Sequence, residues 1–161
     1  MDRLFVILAL AAATAAACKK SGEQASKAPP VTLEVLQKML PETLAGLPRQ
    51  LVAPTPEIPQ LSAYYQDAGN TKSGHVVYTI LTDAPRTLKY YEGRFRERAS
   101  IDGHTAYTRQ YQPRNAPETA EGCMMLGDKI SVCVDLAPAT IGDLAPLFHQ
   151  LPLAELEKRA R

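Results

Sequence analysis

The chain has 161 residues, 18 basic against 17 acidic side chains, no tryptophan and 13 prolines. Such a balance leaves no basic excess for a nucleic-acid interface, so nucleic acid is not an expected partner. The length is enough for one domain with its own core, and neither a repeat nor a second domain emerges from the pattern.

Leu4 to Ala17 carry no charge and follow Asp2-Arg3. The run is shorter than the roughly 20 residues a helix needs to cross the ~30 Å hydrocarbon core, but it suits the apolar part of a secretory signal. Small side chains at Ala15 and Ala17 match the tight subsites of a signal peptidase, and Cys18 stands directly after them. In this order the segment resembles a bacterial lipoprotein signal, although Ala15 stands where leucine is commonest. The resemblance implies that the Cys18 thiol is acylated and becomes the new N-terminus. With Lys19 rather than aspartate next to it, the resemblance implies an outer-membrane protein facing the periplasm, held by its lipid. Ordinary cleavage to a soluble periplasmic protein is the alternative.

Residues 1–17 are thus read as a signal peptide, 18–30 as a lipidated cysteine with a flexible tether, and 31–161 as a single domain. The tether, K-K-S-G-E-Q-A-S-K-A-P-P after Cys18, has no apolar face. Fully extended it reaches about 40 Å.

Within the domain, Leu33, Leu36 and Leu40 recur at helical spacing behind a capping Thr32. Pro41 stops that helix, and a further helical turn is expected from Glu42 to Ala45, ended by Gly46 and Pro48. Residues 61–67 and 74–82 read as strands joined by a turn at Gly69-Asn70. Asp83 and Pro85 then open an amphipathic helix running to Ala99, with Leu88, Tyr91, Phe95 and Ala99 on its apolar face. Gly93 weakens it by about 1 kcal/mol relative to alanine. Residues 104–111 form a strand and 112–120 a loop. After the hairpin at 121–136, Thr140 caps a final helix through Leu151, which Pro152 interrupts before a charged last stretch.

The hairpin fixes its own register. Ile130, Val132, Val134 and Leu136 alternate with Ser131, Cys133 and Asp135, so the even-numbered set belongs in the core. Met124 and Leu126 join that face only if they oppose even-numbered residues, because a slip of one residue turns every side chain over. A loop of Gly127-Asp128-Lys129 satisfies the condition and sets Cys123 opposite Cys133. Directly opposed Cβ atoms ~4.5–5.5 Å apart need little adjustment to be bridged. A Cys123–Cys133 disulfide is therefore expected, contributing about 2.5–3 kcal/mol on the loop-entropy model.

No catalytic residue and no metal or cofactor site is expected. Met124 and Met125 point to opposite faces of a strand and cannot share a soft metal. His75, His104 and His149 are isolated in sequence, with no metal-binding spacing. A hydrolase would need a nucleophile, a base and an oxyanion hole, and no G-x-S-x-G is present. The one candidate binding surface is the cationic side of the predicted helix: Arg86, Lys89, Tyr90, Arg94 and Arg98.

L-P-E-T-L-A-G-L-P-R at residues 40–49, with V-Y-T-I-L-T-D at 77–83, resembles the opening of a group of uncharacterised bacterial lipoproteins. That resemblance implies a leucine-rich first helix, a curved antiparallel sheet and a hairpin before a last helix, without assigning an activity. The expected fold is α+β, an antiparallel sheet of four to five strands with helices packed on one face. The expected function is that of a non-enzymatic, lipid-anchored envelope protein that binds a protein partner or the envelope itself. A small-ligand carrier is the runner-up and a hydrolase the third reading.

Overall fold

The computed structural model describes residues 31–161 apart from Pro56. Residues 1–30, where a signal peptide, a lipidated Cys18 and a tether are expected, lie outside the described residues. Eight antiparallel strands form one strongly curled half-barrel sheet, accompanied by a few short helices. In chain order these are α1 (Leu33–Lys38), β1 (Thr43–Leu44), β2 (Leu47–Thr55), β3 (Gln60–Gln66), β4 (Ser73–Ile80), α2 (Ala84–Arg94), β5 (Glu97–Ile101), β6 (His104–Tyr111), β7 (Thr119–Leu126), β8 (Ile130–Ala137), α3 (Leu144–Phe148) and α4 (Leu153–Ala160). The order across the sheet is β1-β2-β3-β4-β8-β7-β6-β5.

The expected α+β fold of four to five strands is therefore corrected to a mostly β one. Three strands fall where the sequence pattern predicts none. Glu42 to Ala45 is not a helical turn: Thr43 and Leu44 pair with Pro48 and Leu47. Ala45 and Gly46 both take positive φ, 52° and 77°, as a two-residue hairpin turn requires. Strand β2 tolerates Pro54 because its neighbour β1 pairs no further along it than Pro48, leaving the rest of β2 as an edge. The predicted helix to Ala99 stops at Arg94, and Glu97–Ile101 becomes edge strand β5, turning at Asp102-Gly103 into β6.

Other expectations match. Thr32 Oγ1 accepts from the Val35 amide at 3.3 Å, and Asp83 Oδ1 accepts from the Arg86 amide at 2.9 Å. The hairpin pairs Leu126 with Ile130, Met124 with Val132 and Cys123 with Cys133, the register that the apolar alternation demands. The two cysteines are joined, with Cα atoms 4.1 Å apart.

Helices are not confined to one face of the sheet. Helices α1, α3 and α4 cover the side carrying Leu61, Val76, Tyr78, Met124, Ile130 and Val132, all fully buried. Residues on this face reach the usual ~1.5–3 kcal/mol of stabilisation per large apolar side chain. Phe148 of α3 sits over β7 where Gly122 leaves room: a Cβ there would stand 3.0 Å from the Phe148 ring. The carbonyls of the segment that follows α1 are met from the sheet. Tyr65 donates to Pro41 O at 2.8 Å, and Arg49 Nη1 donates to Leu40 O at 2.9 Å. Helix α2 packs on the opposite face through a second, smaller cluster of Tyr91, Phe95, Tyr107 and Cys123. The reason is again alternation: Tyr107, Cys123 and Cys133 are paired neighbours, and they point away from the main core.

Candidate functional site

On the α2 side, register lines up one residue from each of five adjacent strands. Tyr64 pairs with His75, His75 with Asp135, Asp135 with Glu121, and Glu121 with Arg109. The side chains follow this order. The Tyr64 and His75 rings stack with centroids 4.3 Å apart and planes 12° apart. His75 Nδ1 lies 3.1 Å from Asp135 Oδ2. Arg109 Nε donates to Glu121 Oε2 at 2.6 Å, and its Nη2 pairs with the same carboxylate. From α2, Arg94 Nη2 donates to Glu121 Oε1 at 3.2 Å. Two carboxylates directly opposed across a ladder repel each other. Here each has its own partner, two guanidinium groups on Glu121 and an imidazole on Asp135.

One wall of this row is the C-terminal half of α2. Tyr91 donates its phenol proton to Ser131 Oγ at 3.0 Å, and its oxygen lies 3.5 Å from Cys133 Sγ. Burial pushes the Tyr91 phenol above its ordinary pKa. Phe95 meets the Tyr91 ring edge-on at 5.7 Å. Arg94 Nη1 donates to the Tyr90 hydroxyl at 2.9 Å, and the Arg109 guanidinium covers the Tyr111 ring at 4.5 Å. The Tyr111 phenol is also pushed up, by burial first and then by the Glu121 and Asp135 carboxylates. Between α2 and the sheet these groups leave a cleft of about 450 Å³, with the disulfide in its lining. That volume falls in the roughly 300–1,000 Å³ range of small-ligand sites.

The predicted binding surface divides. Arg86 and Lys89 stay exposed on α2. Tyr90 and Arg94 belong to the cleft wall. Arg98 is on β5 rather than on a helix, where it donates to Glu92 and lies over the Tyr107 ring. The histidines are isolated in sequence but not in space. Besides His75 with Asp135, His149 stands 3.2 Å from Asp102 and His104 stands 3.9 Å from Glu157. His75 Nε2 is buried and meets no hydrogen-bond partner, so the His75–Asp135 pair orients an imidazole without a hydroxyl or thiol for it to activate. The hairpin register that brings the cysteines together also opposes Glu121 and Asp135. The carboxylate pair was thus available from the same arithmetic, whereas His75, Arg109 and Tyr64 required the neighbouring strands.

No protein-family model matches the chain, nor does any curated protein or solved structure.

Proposed function

We propose that this chain is a non-enzymatic, lipid-anchored envelope protein and that the cleft under α2 binds a component of the envelope. The anchor rests on Cys18 and the apolar run before it. The cleft rests on one observation about aromatic side chains. Tyr64, Tyr90 and Tyr111 are 43%, 55% and 38% exposed, and all three stand at or beside the cleft. Every other tyrosine and phenylalanine among the described residues is buried. Exposed tyrosines gathered around one concavity favour recognition, because each offers a rigid apolar face and a polar tip. On the other face an opening of about 430 Å³ lies between the end of α1 and the start of α4, and no aromatic side chain lines it.

Two measurements test the reading. Radiolabelled palmitate enters the native chain and fails to enter Cys18→Ser, with the native protein recovered in the membrane fraction. Crosslinking in intact envelopes captures a component that the Tyr90→Ala/Tyr111→Ala variant loses. An unlabelled native chain removes the anchor. An identical crosslinking pattern from native and variant protein removes the cleft.

A further inference from the structure

We infer that the occupant of this cleft is an uncharged sugar chain; the inference rests on the envelope-binding reading and narrows it to one chemistry. Charge is the first argument. Glu121 is held by Arg94 and Arg109, and Asp135 stands against the His75 imidazole, so each carboxylate in the cleft already has a partner. A charged ligand that competes for these groups leaves a partly buried charge without its partner, which is costly. A neutral hydroxyl-bearing ligand keeps every pair.

The unused valences point the same way. Asp135 is engaged through Oδ2, leaving Oδ1 to accept. Arg94, in the cleft lining, is engaged through Nη1 and Nη2, leaving Nε to donate. A hydroxyl both donates and accepts, so neighbouring hydroxyls of one sugar can serve the carboxylate and the guanidinium together. The rings of Tyr90 and Tyr111, both in the cleft lining, meet the other half of a pyranose, whose axial C–H groups form an apolar patch of comparable size. Preorganisation matters for so polar a ligand, since water competes for each bond. The salt-bridged row and the disulfide hold the side chains before binding.

Topology argues against an extended peptide as occupant. Peptides commonly dock by adding a strand to an open sheet edge. The cleft instead lies over β4, β8 and β7, interior strands with a hydrogen-bonded neighbour on each side. Recognition here must come from side chains.

The test is isothermal titration calorimetry on the full chain in a polyoxyethylene detergent, which carries no sugar headgroup. The probes are uncharged oligomers of β-linked glucose, α-linked glucose and β-linked N-acetylglucosamine, with an acidic and a basic peptide as other arms. At least one oligosaccharide is expected to saturate the protein, and the preferred one identifies the sugar. Tyr90→Ala/Tyr111→Ala and, separately, Asp135→Asn are expected to weaken that binding about tenfold or more. Leu51→Ser, at an exposed position on β2, is expected to leave it unchanged. Melting curves matched to the native protein show that each variant is folded. Failure of every oligosaccharide to bind, or equal affinity in the tyrosine and Asp135 variants, overturns the inference. A peptide that binds and loses affinity in those same variants overturns the sugar while leaving an envelope-binding cleft standing. An identical crosslinking pattern from native and variant protein together with absence of palmitate overturns both.

Discussion

The two faces of the sheet are built by the same strands, one residue in every two, and they are organised on opposite principles. Under α1, α3 and α4 the strands present Leu61, Val76, Tyr78, Met124 and Val132, and the helices close over them without leaving polar groups to satisfy beyond a few buried hydroxyls. Under α2 the same strands present Tyr64, His75, Asp135, Glu121 and Arg109, and a single helix covers only part of them. The first face gains its stability from area removed from water. The second is held by directional contacts and one covalent bond, which leaves room for something else to bind. The contrast implies that damage to the first face threatens folding, while damage to the second changes what the folded chain can do.

The sharpest way to break this comparison is to truncate a side chain on each side. Phe148→Ala is expected to cost about 3–5 kcal/mol in chemical denaturation, because α3 lies on Gly122 and cannot settle far into the space left behind. A cost below that of any α2-side change would reverse the ranking of the two faces. Next in size is the disulfide. Cys123→Ser/Cys133→Ser, or reduction of the native chain, is expected to lower stability by about 2–3 kcal/mol. Intact mass should rise by about two daltons on reduction. An unchanged mass would mean that the bond is absent.

Alkaline titration probes the core side through Tyr65, whose phenol burial pushes up to about 12 against an ordinary value near 10. The folded state holds its proton more tightly than the unfolded chain does. Its contribution is therefore complete below about pH 10 and lost as pH rises toward 12, on the order of 1–2 kcal/mol after screening. Tyr65→Phe should flatten the stability profile in that window. Last, Glu121→Gln weakens the hold of two arginines without emptying the site, and about 1 kcal/mol of lost stability is expected. Its clearer signature is faster hydrogen exchange in the last turn of α2, where Arg94 loses its carboxylate. Unchanged exchange there would mean that the salt-bridged row does not brace the helix.

How much of this was legible in the sequence depended on whether neighbours in space were neighbours in the chain. The hairpin at 121–136 was, down to its paired cysteines, because alternation and loop length together allow one register. The strand β5 was not, because Leu88, Tyr91, Phe95 and Ala99 are spaced well enough to extend a helix. The competing signals were present: Phe95, Glu97, Ala99 and Ile101 also alternate with Arg96, Arg98 and Ser100, and Asp102-Gly103 is strong hairpin chemistry. Strand β1 and the start of β2 were hidden by Gly46 and Pro48, which read as the stop of a helical turn and stand instead at a hairpin turn and just after it. For the site, Tyr90 and Arg94 were recognised as a surface, but the groups they face were not. The row joins β3, β4, β8, β7 and β6, and the cross-strand order β4-β8 is a long-range choice that local pattern cannot state.

The uneven placement of aromatic residues has an optical consequence. Tryptophan is absent and there are seven tyrosines, of which only Tyr65 and Tyr78 belong to the main core cluster. Tyr64, Tyr90, Tyr91, Tyr107 and Tyr111 all lie on the α2 side. Ultraviolet absorption by the native chain is therefore weighted toward that side, and a dye-free difference spectrum watches the cleft more than the interior beneath α3.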